Sequence, residues 1–191
     1  MSAADPEGAA PRKKGWGGRL LIAALVGLGF LALLYQGVQE ARQARPVDEG
    51  QPAPGLRAER HGGGSLALED LKGKVVMLDF WATWCPPCVE ELPTLVKLAG
   101  EYQSRGLILV AADKLESDSR ESVAAFLAQR VPPLPPNAAF VFADDPTLER
   151  FRVRVLPTLY FIDRQGRISA SYTGYSSEDE LRTRIEQALA R

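Results

Sequence analysis

Val75-Val76-Met77-Leu78-Asp79-Phe80-Trp81-Ala82-Thr83-Trp84-Cys85-Pro86-Pro87-Cys88 holds the decisive pattern of the chain. Its first half, from Val75 to Trp81, is an apolar run rich in β-branched and aromatic residues and reads as a buried strand. The Cys-Pro-Pro-Cys stretch follows, and from Pro86 to about Tyr102 apolar residues recur at helical spacing. Pro86 and Pro87 suit the first helical turn, where a missing N–H has no intrahelical partner to lose. Cys85 then falls at the N-cap, where free backbone N–H groups and the positive end of the helix dipole favour a thiolate. Cys88 lies one turn on, within disulfide reach. Redox work suits this spacing better than a structural staple does. Closing so short a loop gains only about 1.9 kcal/mol in the loop-entropy model, against about 3 for a 15-residue loop.

Outward from this junction, Leu107 to Ala112 reads as a second buried strand and Arg120 to Arg130 as a helix, ended by the breaker run Val131–Pro136. Strands are expected at Ala139–Ala143, Leu159–Asp163 and Ile168–Tyr172, with Gln165-Gly166 as the turn of a hairpin. A last helix is expected from Ser177 to Ala190. Strands alternating with helices, then a hairpin and a terminal helix, predict an α/β sandwich around a mixed sheet.

The chain has 191 residues, 46% hydrophobic and 25% charged, which excludes wholesale disorder. Its 23 basic and 24 acidic side chains nearly cancel, so no strong basic field draws it to nucleic acid. Two cysteines and one histidine cannot supply a four-ligand zinc site without carboxylates. Residues 1–38 are net +2 and the remainder net −3. The basic cluster Arg12, Lys13, Lys14 and Arg19 precedes an uncharged run of 19 residues, Leu20 to Val38. As a helix it spans about 28 Å, close to a bilayer core. A membrane anchor, a cleaved signal peptide and a buried core helix compete for this run. Its polar flanks disfavour the core helix. Glu40, Arg42 and Arg45 spoil the obvious A-x-A frames, which favours the anchor over cleavage. The expected organisation is a cytoplasmic tail at 1–19, a transmembrane anchor at 20–38, a Pro/Gly-rich linker at 39–54 and one domain at 55–191. The positive-inside rule puts that domain across the membrane, in an oxidising compartment.

Gly73 to Cys88, followed by Glu91-Leu92-Pro93, resembles the thioredoxin superfamily, and within it the TlpA/ResA-like group of membrane-anchored thiol–disulfide oxidoreductases. Val153-Arg154-Val155-Leu156-Pro157-Thr158 and Phe161 to Ile168 match the same group. The resemblance implies a thioredoxin fold, a mixed central sheet flanked by helices, with an N-terminal hairpin and a central insertion from Ser117 to about Phe151. It further implies reduction of protein disulfides on the periplasmic side of a bacterial inner membrane, often in cytochrome c maturation or copper-site assembly. A disulfide-bearing protein is then the substrate and a membrane thiol reductase the electron donor. No metal or cofactor beyond the Cys85–Cys88 pair is expected.

Several residues gain roles from the resemblance. Pro157 stands where the group has a cis-proline against the cysteines, so the Leu156 backbone would pair with an incoming substrate strand. Glu91 matches the acid of the C-x-x-C-x-x-E pattern. Trp84, Pro86 and Pro87 would form the substrate-facing rim. Asp79, which shares a strand face with Val75, Met77 and Trp81, would be buried with a raised pKa and relay a proton during attack at Cys88. The competing reading of Asp79 is a strand-end acid neutralised by Lys74, and that of Glu91 is a complement to the helix dipole. Glu90 points away from the inward stripe. Two departures stand out: Asp79 replaces an Asn common in relatives, and Val155 replaces a usual Gly.

Two other functions fit the same cysteines. One is a thiol oxidase that donates its disulfide; the other is a copper-binding chaperone using two soft ligands. Copper chaperones of this fold typically carry C-x-x-x-C and a distal histidine, and peroxidases of related fold lack the Trp-Cys-x-x-Cys pair. His61, in a Gly-rich loop, reads as a solvated bystander.

Overall fold

The computed structural model describes residues 16–43, 45–114 and 119–191. The chain separates into two units, 1–42 and 43–191. The tail expected at 1–19 lies mostly outside the described residues, as do residues 117 and 118 at the start of the expected insertion.

The first unit contains all but the last residue of the helix α1 (Trp16–Gln43), with Leu25, Val26, Leu28, Phe30 and Leu31 exposed along it. Among the described residues no helix is long and apolar enough to cross a membrane.

The second unit opens with a hairpin, β1 (Arg57–Arg60) and β2 (Ser65–Ala67). Its turn runs through Gly62, Gly63 and Gly64, all at positive φ, a conformation that residues with a Cβ rarely adopt. There follow β3 (Val75–Trp81), α2 (Pro86–Glu101), β4 (Leu107–Lys114), α3 (Arg120–Arg130) and β5 (Ala138–Ala143). The chain ends with α4 (Asp145–Arg150), β6 (Thr158–Ile162), β7 (Ile168–Thr173) and α5 (Glu178–Leu189).

Seven strands form one mixed sheet in the order β2-β1-β5-β4-β3-β6-β7. β3, β4 and β5 run parallel, while β6 pairs antiparallel with β3 and β7 with β6. β3 lies inside the sheet between β4 and β6 with both faces covered, so all seven of its residues are buried. That explains its continuous apolar reading: a strand sandwiched between layers shows no polar alternation. Val75, Met77 and Trp81 face one core with Leu92, Leu95 and Leu98 of α2 and Leu181 and Ile185 of α5. Val76, Leu78 and Phe80 face the other core with Phe151, Tyr160 and Ile162. Trp81 packs between Phe126 and Phe140, with ring centroids 5.5 and 5.7 Å away.

The termini of the last elements carry their own stop and start signals. Asp163 Oδ1 accepts from the N–H groups of Gln165 and Arg167, both at 2.9 Å, closing the β6–β7 hairpin at the expected turn. Ser177 and Glu180 form a capping box that starts α5. α2 continues through Pro93 from Pro86 to Glu101, although the Val89 carbonyl there loses its intrahelical donor.

Two expectations are corrected. Residues 39–43 of the expected linker are helical, and residues 47–53 are not a loose tether. The Val47 N–H donates to the Tyr160 hydroxyl at 3.1 Å, Gly50 to Ile168 O at 2.7 Å and Ala53 to Gly166 O at 2.9 Å. Pro and Gly deprive this stretch of regular periodicity, but its backbone finds partners on the β6–β7 hairpin. The six-residue α4, capped by Asp144 with Pro146 in its first turn, is an element that periodicity does not reveal.

Candidate active site

Parallel strands β3 and β4 end side by side, Trp81 in register with Asp113, and the chain leaving β3 turns at once into α2. Cys85 is the N-cap of α2. Cys85 and Cys88 are joined by a disulfide, with their Cα atoms 5.3 Å apart. The first helical positions belong to Pro86 and Pro87, which have no N–H. The Cys88 N–H is therefore the cap donor that reaches Cys85 Sγ, at 3.4 Å. Cys85 is 4% exposed and Cys88 1%, so an incoming thiol or disulfide meets Cys85 first. Trp84, 54% exposed, stands beside it as the expected rim.

The Leu156–Pro157 peptide is cis, the geometry that the resemblance implies. Pro157 is buried, and its carbonyl accepts from Gly174 N–H at 2.9 Å. Leu156 is half-buried at the edge of a groove of about 310 Å³ that also borders Trp84, Cys85, Pro86 and Pro87. The groove's further walls come from Lys114 at the end of β4, Leu148 of α4, and Val153, Arg154 and Val155. Val155 thus stands beside the cysteines where a Gly is usual, adding an exposed side chain to the groove's rim.

Two carboxyls are buried on the elements that flank the cysteines, Asp79 on β3 and Glu91 on α2. Asp79 is 1% exposed, and neither of its oxygens has a hydrogen-bond partner. Burial pushes its pKa well above the ordinary carboxylate range, and the nearby Glu91 charge pushes it further. Lys74 is exposed at the opposite end of β3 and both Asp79 oxygens are buried without a partner, so Asp79 is not a strand-end acid neutralised by Lys74. Glu91, three residues after Cys88 on the inward face of α2, is likewise buried. Its Oε1 accepts from the Ser176 N–H at 2.8 Å, while Oε2 has no partner. Burial raises this carboxyl to about 7, with the Ser176 bond opposing the rise. Glu91 is therefore no surface complement to the helix dipole. Glu90, its neighbour, is exposed.

All the expected site residues except Glu91 and Asp79 border the groove or adjoin it, and those two are buried on α2 and β3. Residues that sequence reading passed over are Ser176, Lys114, Leu148 and Val153. Only Val153 carried a signal, through its place in the motif before Pro157. His61 lies away from this constellation, half-buried with its ring edge-on to Phe142. Among the described residues no group of three or more metal-ligating side chains occurs.

A thioredoxin-like sheet, a disulfide at a helix N-cap and a facing cis-proline define a thiol–disulfide oxidoreductase. Residues 49–177 match the AhpC/TSA family model, and the chain belongs to that family. It is 30% identical over 162 residues to the thiol-disulfide oxidoreductase ResA of Bacillus subtilis, covering 85% of this chain and 86% of the relative. The thioredoxin-like protein YneN of the same organism is 30% identical over 176 residues, 91% of this chain and 98% of that one. Among solved structures, a thiol:disulfide interchange protein of the thioredoxin family from Chlorobium tepidum superposes with a TM-score of 0.64. It shares 26% identity and covers 76% of this chain and 98% of its own.

Proposed function

We propose that this protein is a membrane-tethered reductase of protein disulfides, with its catalytic unit on the periplasmic side of a bacterial inner membrane. The observation that carries the chemistry is the Cys85–Cys88 disulfide at the N-cap of α2, opening onto a groove beside cis-Pro157. In the reduced protein the Cys85 thiolate attacks a substrate disulfide, forming the Cys85–substrate bond and expelling one substrate thiolate. Cys88 then loses its proton and attacks Cys85 Sγ, releasing the second substrate thiolate and restoring the Cys85–Cys88 bond. Two electrons pass to the substrate, and each released thiolate takes up a proton.

Asp79 accepts the Cys88 proton, the role its burial and its raised affinity for protons support. Glu91, near neutrality at about 7, exchanges that proton with its surroundings. Trp84, Pro86, Pro87 and the Leu156 backbone hold the substrate segment. The pair must be re-reduced by a membrane thiol reductase that carries electrons outward; no bound cofactor takes part.

The uncharged run from Leu20 to Val38, preceded by Arg12, Lys13, Lys14 and Arg19, supports the tether and its orientation. Apocytochrome c or a copper-site protein, each of which needs reduced cysteines in an oxidising compartment, suits the substrate role. The test is the midpoint potential of the Cys85–Cys88 pair, with tryptophan fluorescence as the readout. A value near about −270 mV, the thioredoxin end of the scale, fits a dedicated reductant. A value near about −120 mV, that of strong periplasmic oxidants, would instead make it a disulfide donor. A Cys88→Ser chain should also accumulate substrate as a mixed disulfide, and failure to trap any would count against the mechanism.

A further inference from the structure

Exposed large apolar side chains are few in the second unit. Among the described residues they are Trp84, Leu134, Val155 and Tyr175. Trp84 and Val155 border the groove at Cys85, and Tyr175 follows the Gly174 that bonds Pro157. Three of the four therefore gather about one site, the pattern of a surface that is covered in use. The charges there are equally one-sided. Arg154 and Lys114 line the groove, and among the described residues no carboxylate does, although the unit as a whole carries more acids than bases.

This placement has a structural cause. α4 ends in a Schellman motif: Val153 N–H donates to Leu148 O at 2.8 Å and Arg152 N–H to Glu149 O at 2.9 Å. The residue at the left-handed position is Arg152, at φ 53°, the one non-glycine among the described residues with positive φ. The motif turns the chain so that Leu148 and Val153, its apolar pair, form the groove wall and Arg154 and Val155 reach the rim beside Cys85.

We propose that the groove receives a disulfide-bearing protein segment that is both apolar and acidic. Its apolar side chain lies between Trp84 and Val155, and a carboxylate next to the attacked cysteine meets Arg154. The inference rests on the disulfide-exchange reading above and names its substrate class.

The test uses the full reduced chain and three disulfide-looped peptides that differ only in the residue before the attacked cysteine, Asp, Ser or Lys. The Asp peptide is expected to be reduced faster than the Lys peptide by about three- to fivefold at low salt, the worth of a partly exposed charge pair. The ratio should shrink as salt rises, and Arg154→Glu should invert it. Equal rates for the three peptides, a preference for Lys, or an Asp preference that Arg154→Glu leaves intact would overturn the proposal. If none of the peptides is reduced, the disulfide-exchange reading itself falls and this one falls with it. A uniform rate across the series sinks only the charge preference.

Discussion

The backbone N–H of Ser176 donates to Glu91 Oε1 at 2.8 Å, binding the loop before α5 to the helix that carries both cysteines, 85 residues away in sequence. Ser176 is the residue that holds this carboxyl, whose Oε2 is buried without a partner. A carboxyl so placed keeps its proton to about 7 instead of its ordinary 4.5. The folded chain then holds, between those pH values, a proton that the unfolded chain has released. Stability from this group is complete below about 4.5 and is lost as pH rises through 7. Asp79, raised for the same reason, acts in the same direction. Glu91 should lower stability by about 2–3 kcal/mol between pH 5 and pH 8.5, and Asp79 adds to the fall in the same direction. Urea midpoints of the oxidised protein across that range will show the fall, and Glu91→Gln should flatten part of it. A midpoint that rises with pH would contradict the assignment.

Pro87 controls the thiolate by what it lacks. An N-cap side chain accepts from the N–H of the second or third helical residue, and here the second has none. Pro87→Ala restores that donor within reach of Cys85 Sγ. One added N–H bond to a thiolate should lower the Cys85 pKa by about one unit, equivalent to a midpoint potential about 30 mV more oxidising. The check is thiolate absorbance against pH together with redox-buffer equilibration. An unchanged pKa would mean that the restored N–H points elsewhere.

Much of this was legible in the sequence, for reasons that can be named. β3 and α2 announce themselves because a doubly covered strand and a proline-started helix have strong local signatures, and Cys85, Cys88 and Asp79 ride on them. The hairpin at Gln165-Gly166 is equally local. What stayed hidden depends on contacts remote in sequence. Ser176 has no motif of its own and matters only because α5 brings it to Glu91. Lys114 is an ordinary strand-end lysine until β4 ends beside Cys85. α4 is too short for periodicity, and its Asp144-Asp145-Pro146 start competes with a turn reading. The docking of residues 47–53 follows from partners on β6 and β7, which their own composition does not foretell.

Tyr160 measures that docking. Its hydroxyl accepts from the Val47 N–H at 3.1 Å and donates to the Phe151 carbonyl, both in buried surroundings. Tyr160→Phe leaves a buried donor and a buried acceptor unsatisfied with almost no change of volume. The expected loss is about 2 kcal/mol, and protease cleavage near residue 47 should accelerate. An unchanged urea midpoint would show that water replaces the hydroxyl.

Arg152 occupies the left-handed position of the α4 Schellman motif, where glycine carries no Cβ penalty. Arg152→Gly should therefore stabilise the oxidised protein by about 0.5–1 kcal/mol, net of the extra freedom that glycine gives the unfolded chain. Denaturant unfolding reads this directly. A loss instead would mean that contacts of the Arg152 side chain outweigh the backbone strain.

Asp79 sets stability against turnover most sharply. Both its oxygens are buried without partners, and both neighbouring strands, at Ala111 and Leu159, offer it only apolar residues in register. Neutral, it is an unsatisfied polar group; ionised, it is an unpaired buried charge beside Glu91, and either state is unfavourable. Asp79→Ala removes the group and leaves a small space against Ala111. Stability at pH 8 should rise by about 1–3 kcal/mol, more than at pH 5, because a carboxyl whose proton affinity is raised by folding costs the folded state more as pH rises. Resolution of the mixed disulfide should meanwhile slow by about 10²-fold or more, the usual weight of one proton acceptor, and its rate should depend more steeply on pH. Stopped-flow tryptophan fluorescence after mixing with a disulfide peptide separates attack by Cys85 from resolution by Cys88. Slowing confined to the second phase marks Asp79 as the acceptor of the Cys88 proton. Equal slowing of both phases, or none, would reduce it to a costly occupant of the core.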